Sequence, residues 1–222
     1  MNSFKHPRLA NEQIWMAWTY GDLNHSKDSV RLRVYSTNTP FSRWSFIDQT
    51  HSNIVKEAKA DGSLGEADAQ YTSQIGLGLT VQTADCVPIF LIGRLDTGDL
   101  QVGVVHAGWR GLANQIIVKT VHEMSNVHSA VIGPCIGVNR YQVGEEVIEA
   151  MLKAGVPREV CAVERLPRPH LDVKRTAGYQ LRQAGVRNIE TMGFCTYTDN
   201  RWASYRRDGA SAGRIISMIG VL

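Results

Sequence analysis

The chain has 222 residues, enough for one large domain or two small ones and for a substantial core without disulfides. Its 43% hydrophobic and 20% charged residues exclude a disordered composition. A net charge of +3 from 24 basic and 21 acidic residues is too even a balance for nucleic-acid binding.

No apolar stretch reaches the ~18 residues needed to span a bilayer. The first residues, Met1 to Leu23, hold no continuous apolar run of the signal-peptide kind. Four cysteines, Cys86, Cys135, Cys161 and Cys195, form neither a disulfide scaffold nor a Cys-x-x-Cys pair. The reading is a cytoplasmic protein with no membrane or nucleic-acid partner, a monomer or weak oligomer, whose thiols are available for chemistry or metal.

The region from Trp15 to Asp48 is strand-like but weakly determined. Gly78–Val81 reads as a strand leading into Val87–Ile92. After the turn Asp96-Thr97-Gly98-Asp99, Gln101–Val105 is the next strand, followed later by Ser129–Ile132 and Arg214–Val221. Ala113, Ile116, Ile117, Val121 and Met124 mark one face of a helix. Val143, Val147, Ile148, Met151 and Leu152 make a second stripe, ended by Gly155 with Pro157 beyond. A third helix runs from Asp172 as N-cap to about Ala184, with Gly185 as its C′ residue. Interleaved strands and helices without repeats or linkers predict one α+β (mixed α/β) domain over residues 1–222.

Of the seven histidines, His6, His25 and His170 lie in polar or proline-containing loops, and His122 and His128 flank a helix end. His106 differs. It ends the apolar run Val102-Gly103-Val104-Val105 and opens His-Ala-Gly-Trp-Arg-Gly, a strand end before a glycine turn and a helix, where α/β folds place active sites. Cys86, in Thr83-Ala84-Asp85-Cys86, has a similar setting, and the two side chains converge if their strands are neighbours. Spacing alone leaves a buried apolar cysteine and a core histidine as an equal alternative, because the set lacks the short spacing of a zinc finger. His51, in Gln49-Thr50-His51-Ser52-Asn53, is not marked by pattern. Gly108-Trp109-Arg110-Gly111 before a helix is either an anion site or an ordinary glycine turn. Ser204-Tyr205-Arg206-Arg207-Asp208-Gly209 offers the same choice.

Taken together, the motifs resemble the YfiH family, laccase-domain proteins long described as polyphenol oxidases and now regarded as zinc-dependent purine nucleoside phosphorylases. The matching segments are Gln49–His51, Glu66-Ala67-Asp68-Ala69, Thr83–Pro88, His106–Gly111, Ile132–Gly137, Tyr141–Gly144, Leu171-Asp172, Cys195-Thr196, Ser204–Gly209 and Gly213-Arg214. They fall in family order from about residue 46 to the C-terminus. The resemblance implies a layered α-β-β-α-like sandwich with mixed sheets, similar to the catalytic domain of cytotoxic necrotizing factor. It implies Zn2+ bound by His51, Cys86 and His106, with copper as a competitor. Two imidazoles and a thiolate leave a fourth tetrahedral position open, as catalytic zinc sites do.

The implied reaction is phosphorolysis of adenosine, inosine or methylthioadenosine, with adenosine deamination as a side activity, so the partners are a nucleoside and phosphate. In this reading Asp68 or Asp85 takes part in proton transfer. Arg110, Arg206 and Arg207, with Cys135, serve phosphate or substrate. Serine follows His51 where the family usually has glycine, and the segment before residue 46 is short and lacks the family's glycine-rich pattern.

Rival readings fare less well. A four-copper oxidase needs more histidines than seven, and His-x-His pairs that are absent here. A cytidine-type deaminase needs His-x-Glu and Pro-Cys-x-x-Cys, whereas His106 precedes Ala107-Gly108 and Cys135 precedes Ile136-Gly137-Val138. The alternative that survives is a cysteine hydrolase or amidase with Cys86 as nucleophile and His106 as base, in keeping with the link of some family members to peptidoglycan precursor editing.

Overall fold

Apolar alternation builds two six-stranded mixed sheets in the computed structural model, which describes residues 3–5, 13–21, 34 and 38–222. In chain order the strands are β1 (Ser3–Lys5), β2 (Ile14–Thr19), β3 (Arg43–Asp48), β4 (Val55–Glu57), β5 (Gly62–Glu66), β6 (Ala69–Thr72) and β7 (Leu77–Thr83). They continue as β8 (Val87–Arg94), β9 (Leu100–Ala107), β10 (Ser129–Ile132), β11 (Ala162–Val163), β12 (His170–Leu171), β13 (Asn188–Thr191) and β14 (Ile215–Val221). The helices are α1 (Trp109–Ala113), α2 (Ile116–Glu123), α3 (Glu145–Lys153), α4 (Arg158–Cys161), α5 (Val173–Gln183) and α6 (Tyr205–Asp208). The first sheet has the order β1-β2-β14-β7-β3-β5 and the second β13-β10-β8-β9-β6-β4, while β11 and β12 form a ribbon of their own.

The period-two pattern of β8 and β9 decides the layering. Val87, Ile89 and Leu91 of β8, with Val105 and Ala107 of β9, face Leu112, Ile116, Ile117, Ile148 and Leu181 of the helices. Phe90, Ile92, Val102 and Val104 point the other way, onto Trp18, Leu79, Val81 and Ile215 of the first sheet. His106 continues the series Val102, Val104, so its side chain lies at the end of the seam between the sheets. The outer face of the first sheet carries Ala17, Phe41, Trp44, Ile216 and Met218, joined by Val34. The architecture is the mixed α/β sandwich expected. His6, His25 and most of residues 22–37, part of the early strand-like region, lie outside the described residues.

Three local expectations need correction. Gly78–Val81 does not run on into Val87–Ile92: β7 belongs to the first sheet and β8 to the second. The chain crosses at residues 84–86, where Asp85 takes the left-handed φ of 83°. An aspartate tolerates that conformation better than most residues. The stripe from Ala113 to Met124 is not one helix. Ala113 closes α1, and Gln115, with φ 56°, redirects the chain into α2. Breaking there lets α1 follow the turn after His106 while Ile116, Ile117 and Val121 still reach the sheet. Leu152 falls off its stripe and is 41% exposed, whereas Val147, Ile148 and Met151 are buried.

The helix ends behave as their sequences dictate. Asp172 accepts the Arg175 N–H at 2.9 Å as N-cap of α5. Gly155 and Gly185 take φ of 78° and 89° just beyond α3 and α5.

Trp44 fixes the first sheet from outside. It is fully buried, meets Phe41 and Trp15 edge to face at centroid distances of 5.5 and 6.5 Å, and lies across from Gly78 in register. A Cβ on Gly78 would sit 2.4 Å from the Trp44 ring. Gly78→Ala is expected to destabilise the protein by about 1–3 kcal/mol, as overpacked cores are. A lower urea midpoint with an unchanged slope is the measurement that checks it.

Candidate metal centre

Three segments bring the donors together. His51 lies in the loop after β3. Gln49 docks that loop on the first sheet as a strand residue would, donating to the Gln82 carbonyl at 2.7 Å and accepting the Gln82 N–H at 2.8 Å. Cys86 is the last residue of the corner between the sheets. His106 is near the end of β9, whose pairing Pro88↔His106 and Val87↔Ala107 with β8 brings Cys86 alongside. The donor atoms of His51, Cys86 and His106 all lie within 4.8 Å of one another, the one such group among the described residues.

The fit to a metal rests on more than proximity. Gly108 faces the donors: a Cβ there would stand 2.8 Å from His51 Nδ1 and 3.1 Å from Cys86 Sγ. The space between the donors and the turn is therefore kept clear of any side chain from that position. Two nitrogens and one sulfur are also the donor types of mixed transition-metal sites.

Asp68 holds the assembly. It is 0% exposed, and its carboxylate accepts five bonds. The backbone N–H groups of Thr50, His51 and Ser52 reach it at 3.2, 3.1 and 2.6 Å, the Ser52 hydroxyl at 2.7 Å and His106 Nδ1 at 2.7 Å. Three successive amides converge because His51 adopts φ 58° and curls the loop into an anion nest. Burial opposes the charge of Asp68, but the bonds from His106 and Ser52 outweigh it and hold the pKa at about 2. Its contribution to stability is therefore complete above the ordinary carboxylate range and is lost as pH falls toward about 2.

An ionised carboxylate only accepts, so His106 Nδ1 carries a proton and Nε2 is the nitrogen left for the donor set. Burial acts to lower the His106 pKa. The charge of Cys86 and the bonds to Asp68 and Cys86 raise it to about 9. Burial and the neighbouring His106 lower that of His51.

The other sequence candidates separate. Asp85 is a clamp: Oδ1 accepts the Thr196 hydroxyl at 2.6 Å, and Oδ2 accepts the Arg206 N–H at 2.6 Å. Arg207 is consumed internally, donating to the carbonyls of Thr196, Tyr197 and Trp202 and pairing with Asp208. Cys135 lies in the core at 0% exposure, its thiol pushed up to about 12 by burial. Arg110 is exposed and stacks on Trp109 at 4.5 Å. Arg206 is exposed, lies 5.0 Å over the Tyr141 ring and donates to the Gln142 carbonyl at 3.0 Å.

A cleft of about 310 Å³ opens here, lined by Trp109, Tyr141, Glu146, Arg168 and Arg206 among others. The donors themselves do not line it; it adjoins them through Trp109, which follows Gly108, whereas a larger surface groove of about 650 Å³ runs along Lys119 and His122. Burial, followed by the charge of Cys86, pushes the Tyr141 phenol up to about 12, so it stays a neutral donor. Sequence reasoning quoted Trp109 and Tyr141 within motifs without giving them a part, and it missed Arg168, whose loop carries no motif.

These features coincide with known proteins. The family model described as multi-copper polyphenol oxidoreductase laccase matches residues 13–222. The chain is 30% identical over 207 residues to "Purine nucleoside phosphorylase YfiH" of Shigella flexneri, covering 91% of this chain and 84% of that one. It is 36% identical over 182 residues to "Purine nucleoside phosphorylase" of Deinococcus radiodurans, covering 79% and 69%. The crystal structure of Neisseria meningitidis protein NMB0706 superposes with a TM-score of 0.87 at 25% identity, covering 100% of this chain and 99% of that one. The chain belongs to this laccase-domain family, of which the YfiH proteins are members. No helix among the described residues is long and apolar enough to cross a membrane.

Asp68→Asn keeps the shape but offers one acceptor oxygen to five donors. Metal affinity is expected to fall about 10–100-fold, the usual cost of losing a partner that orients a ligand. Competition against a chromophoric chelator measures it.

Proposed function

We propose that this chain is a zinc-dependent purine nucleoside phosphorylase, cleaving a nucleoside with phosphate to the free base and ribose 1-phosphate. The observation that carries the reading is the His51–Cys86–His106 donor set beside a cleft with two arginines and two aromatic rings, in a chain whose relatives bear that name. His51, Cys86 and His106 would hold zinc, which supplies Lewis-acid polarisation of a substrate oxygen.

The remaining parts belong to the protein. Positive charge develops on the ribose as phosphate approaches C1′, so phosphate must be held there as an anion, and cations offset the cost of taking it out of water. Arg206 and Arg168 have no carboxylate partner among the described salt bridges and line the cleft together; Arg110 adds a third cation near its rim. Trp109 and Tyr141 offer faces on which a purine stacks. The Tyr141 phenol can donate a hydrogen bond to the base or ribose. Asp68 and Asp85 act as positioning residues, since bonds already occupy their carboxylates. Adenosine deamination is a second activity to assay on the same centre.

One observation favours the thiol hydrolase as a second reading. Asp68, His106 and Cys86 form a chain, with Asp68 bonded to His106 Nδ1 at 2.7 Å and His106 bonded to Cys86. Metal content separates the two. Purified protein is expected to carry about one zinc per chain. Full activity after chelation would favour the thiol.

Incubation with adenosine should yield adenine only when phosphate is present, and Cys86→Ala should abolish both zinc retention and turnover. Arg168→Gln and Arg206→Gln are each expected to raise the KM for phosphate about ten-fold or more while leaving that for nucleoside near its original value, as loss of a charge-assisted hydrogen bond would. Product formation at the same rate without phosphate would sink phosphorolysis.

A further inference from the structure

Two cysteines outside the metal centre are paired by the backbone. Residues 135 and 195 face each other in an isolated parallel bridge, closed by the Thr196 N–H on the Cys135 carbonyl at 3.1 Å. Register partners on neighbouring strands lie about 5 Å apart, inside the Cα range of about 4.4–6.8 Å that a disulfide spans. Partners in a parallel bridge also project to the same side. Both thiols are free.

The two differ in environment as an attacking and a resolving thiol do. Cys195 is half-buried, and its sulfur accepts the Gly137 N–H at 3.1 Å together with bonds from Thr198 and Tyr197. Burial opposes its ionisation, but these bonds prevail and lower its pKa below the usual thiol value. A partly exposed sulfur among backbone donors is the setting in which thiolates react. Cys135, fully buried, stays a neutral thiol.

We propose that Cys195 and Cys135 form a peroxide-sensitive thiol pair that controls the metal centre. The Cys195 thiolate attacks one oxygen of a hydroperoxide. The S–O bond forms, the O–O bond breaks, and the departing hydroxide takes up the thiol proton as water. The sulfur of Cys135 then attacks the sulfenic sulfur of Cys195. The S–S bond forms, the S–O bond breaks, and hydroxide leaves with the Cys135 proton as a second water. Two thiols and one hydrogen peroxide become one disulfide and two waters. Because Cys135 is buried, the second step is the slower one.

The consequence passes through Asp85. Its carbonyl accepts the N–H of Ile136, beside Cys135, at 3.0 Å, and its carboxylate accepts the hydroxyl of Thr196, beside Cys195, at 2.6 Å. Once in a disulfide, the Cys195 sulfur is no longer a strong acceptor for the Gly137, Tyr197 and Thr198 donors, which loosens the segment that carries Thr196. Asp85, already at φ 83°, is the residue before the ligand Cys86.

The test treats zinc-loaded protein with hydrogen peroxide and maps the peptides by mass. A Cys135–Cys195 linked peptide lacking two hydrogens is expected. In Cys135→Ser, dimedone should instead trap a sulfenic acid at Cys195. Zinc release, followed with a chromophoric chelator, should be roughly ten-fold faster in the wild type than in Cys195→Ser at the same dose, in line with loss of support to a ligand. Oxidation confined to Cys86 or Cys161 with Cys195 still reduced overturns the pair. Equal zinc release with and without Cys195 overturns its control of the metal. Peptide mapping of the wild type decides the first point even if a variant fails to fold.

Discussion

A single buried carboxylate organises this molecule's chemistry. Asp68 gathers five donors from two separated parts of the chain: the loop at Thr50–Ser52 and the end of β9 at His106. Without a charge there, three amides would point into the interior unpaired, each costing about 1–3 kcal/mol. With it, the loop keeps its left-handed turn at His51, and His106 is locked with one nitrogen outward. The serine beside His51 is explained by the same carboxylate, to which it adds a hydroxyl bond beyond the backbone one. That bond accounts for an anomaly of the sequence, where glycine is usual.

Much of the sandwich was legible from period and punctuation. The apolar runs in Val87–Ile92 and Gln101–Val105 set the core strands, and Asp172, Gly155 and Gly185 marked helix ends correctly. What the pattern lacked was any mark for a change of sheet. Thr83-Ala84-Asp85-Cys86 reads as continuous β because strand-like runs, Gly78–Val81 and Val87–Ile92, flank it closely on either side. The switch depends on one left-handed aspartate whose partners, Thr196 and the Arg206 amide, lie more than a hundred residues away. Gln115 hid the break between α1 and α2 for a similar reason, since nothing in a glutamine announces a positive φ.

The site divides along the same line. Cys86 and His106 stood out because strand ends are readable, whereas His51 is held by Gln49 pairing with Gln82 and by bonds to Asp68, none of which has a local signature. It entered through family resemblance alone. The arginines illustrate the limit of charge as a clue. Arg206 and Arg207 are adjacent in sequence, yet one faces the cleft and the other is spent on three carbonyls and Asp208. The laccase description attached to the family sits poorly with three donors drawn from two imidazoles and a thiolate, a set with room for one ion rather than a multi-copper cluster.

The three donors come from the loop docked on the first sheet, from the corner between the sheets and from a strand of the second. An ion bound to all three would act as a rivet through the sandwich. Short-range zinc motifs capture metal early and fold around it. Here the binding pocket does not exist until two sheets of high contact order have been laid face to face. A metal held there would therefore be acquired at the close of folding, once the two sheets of the sandwich have found their register.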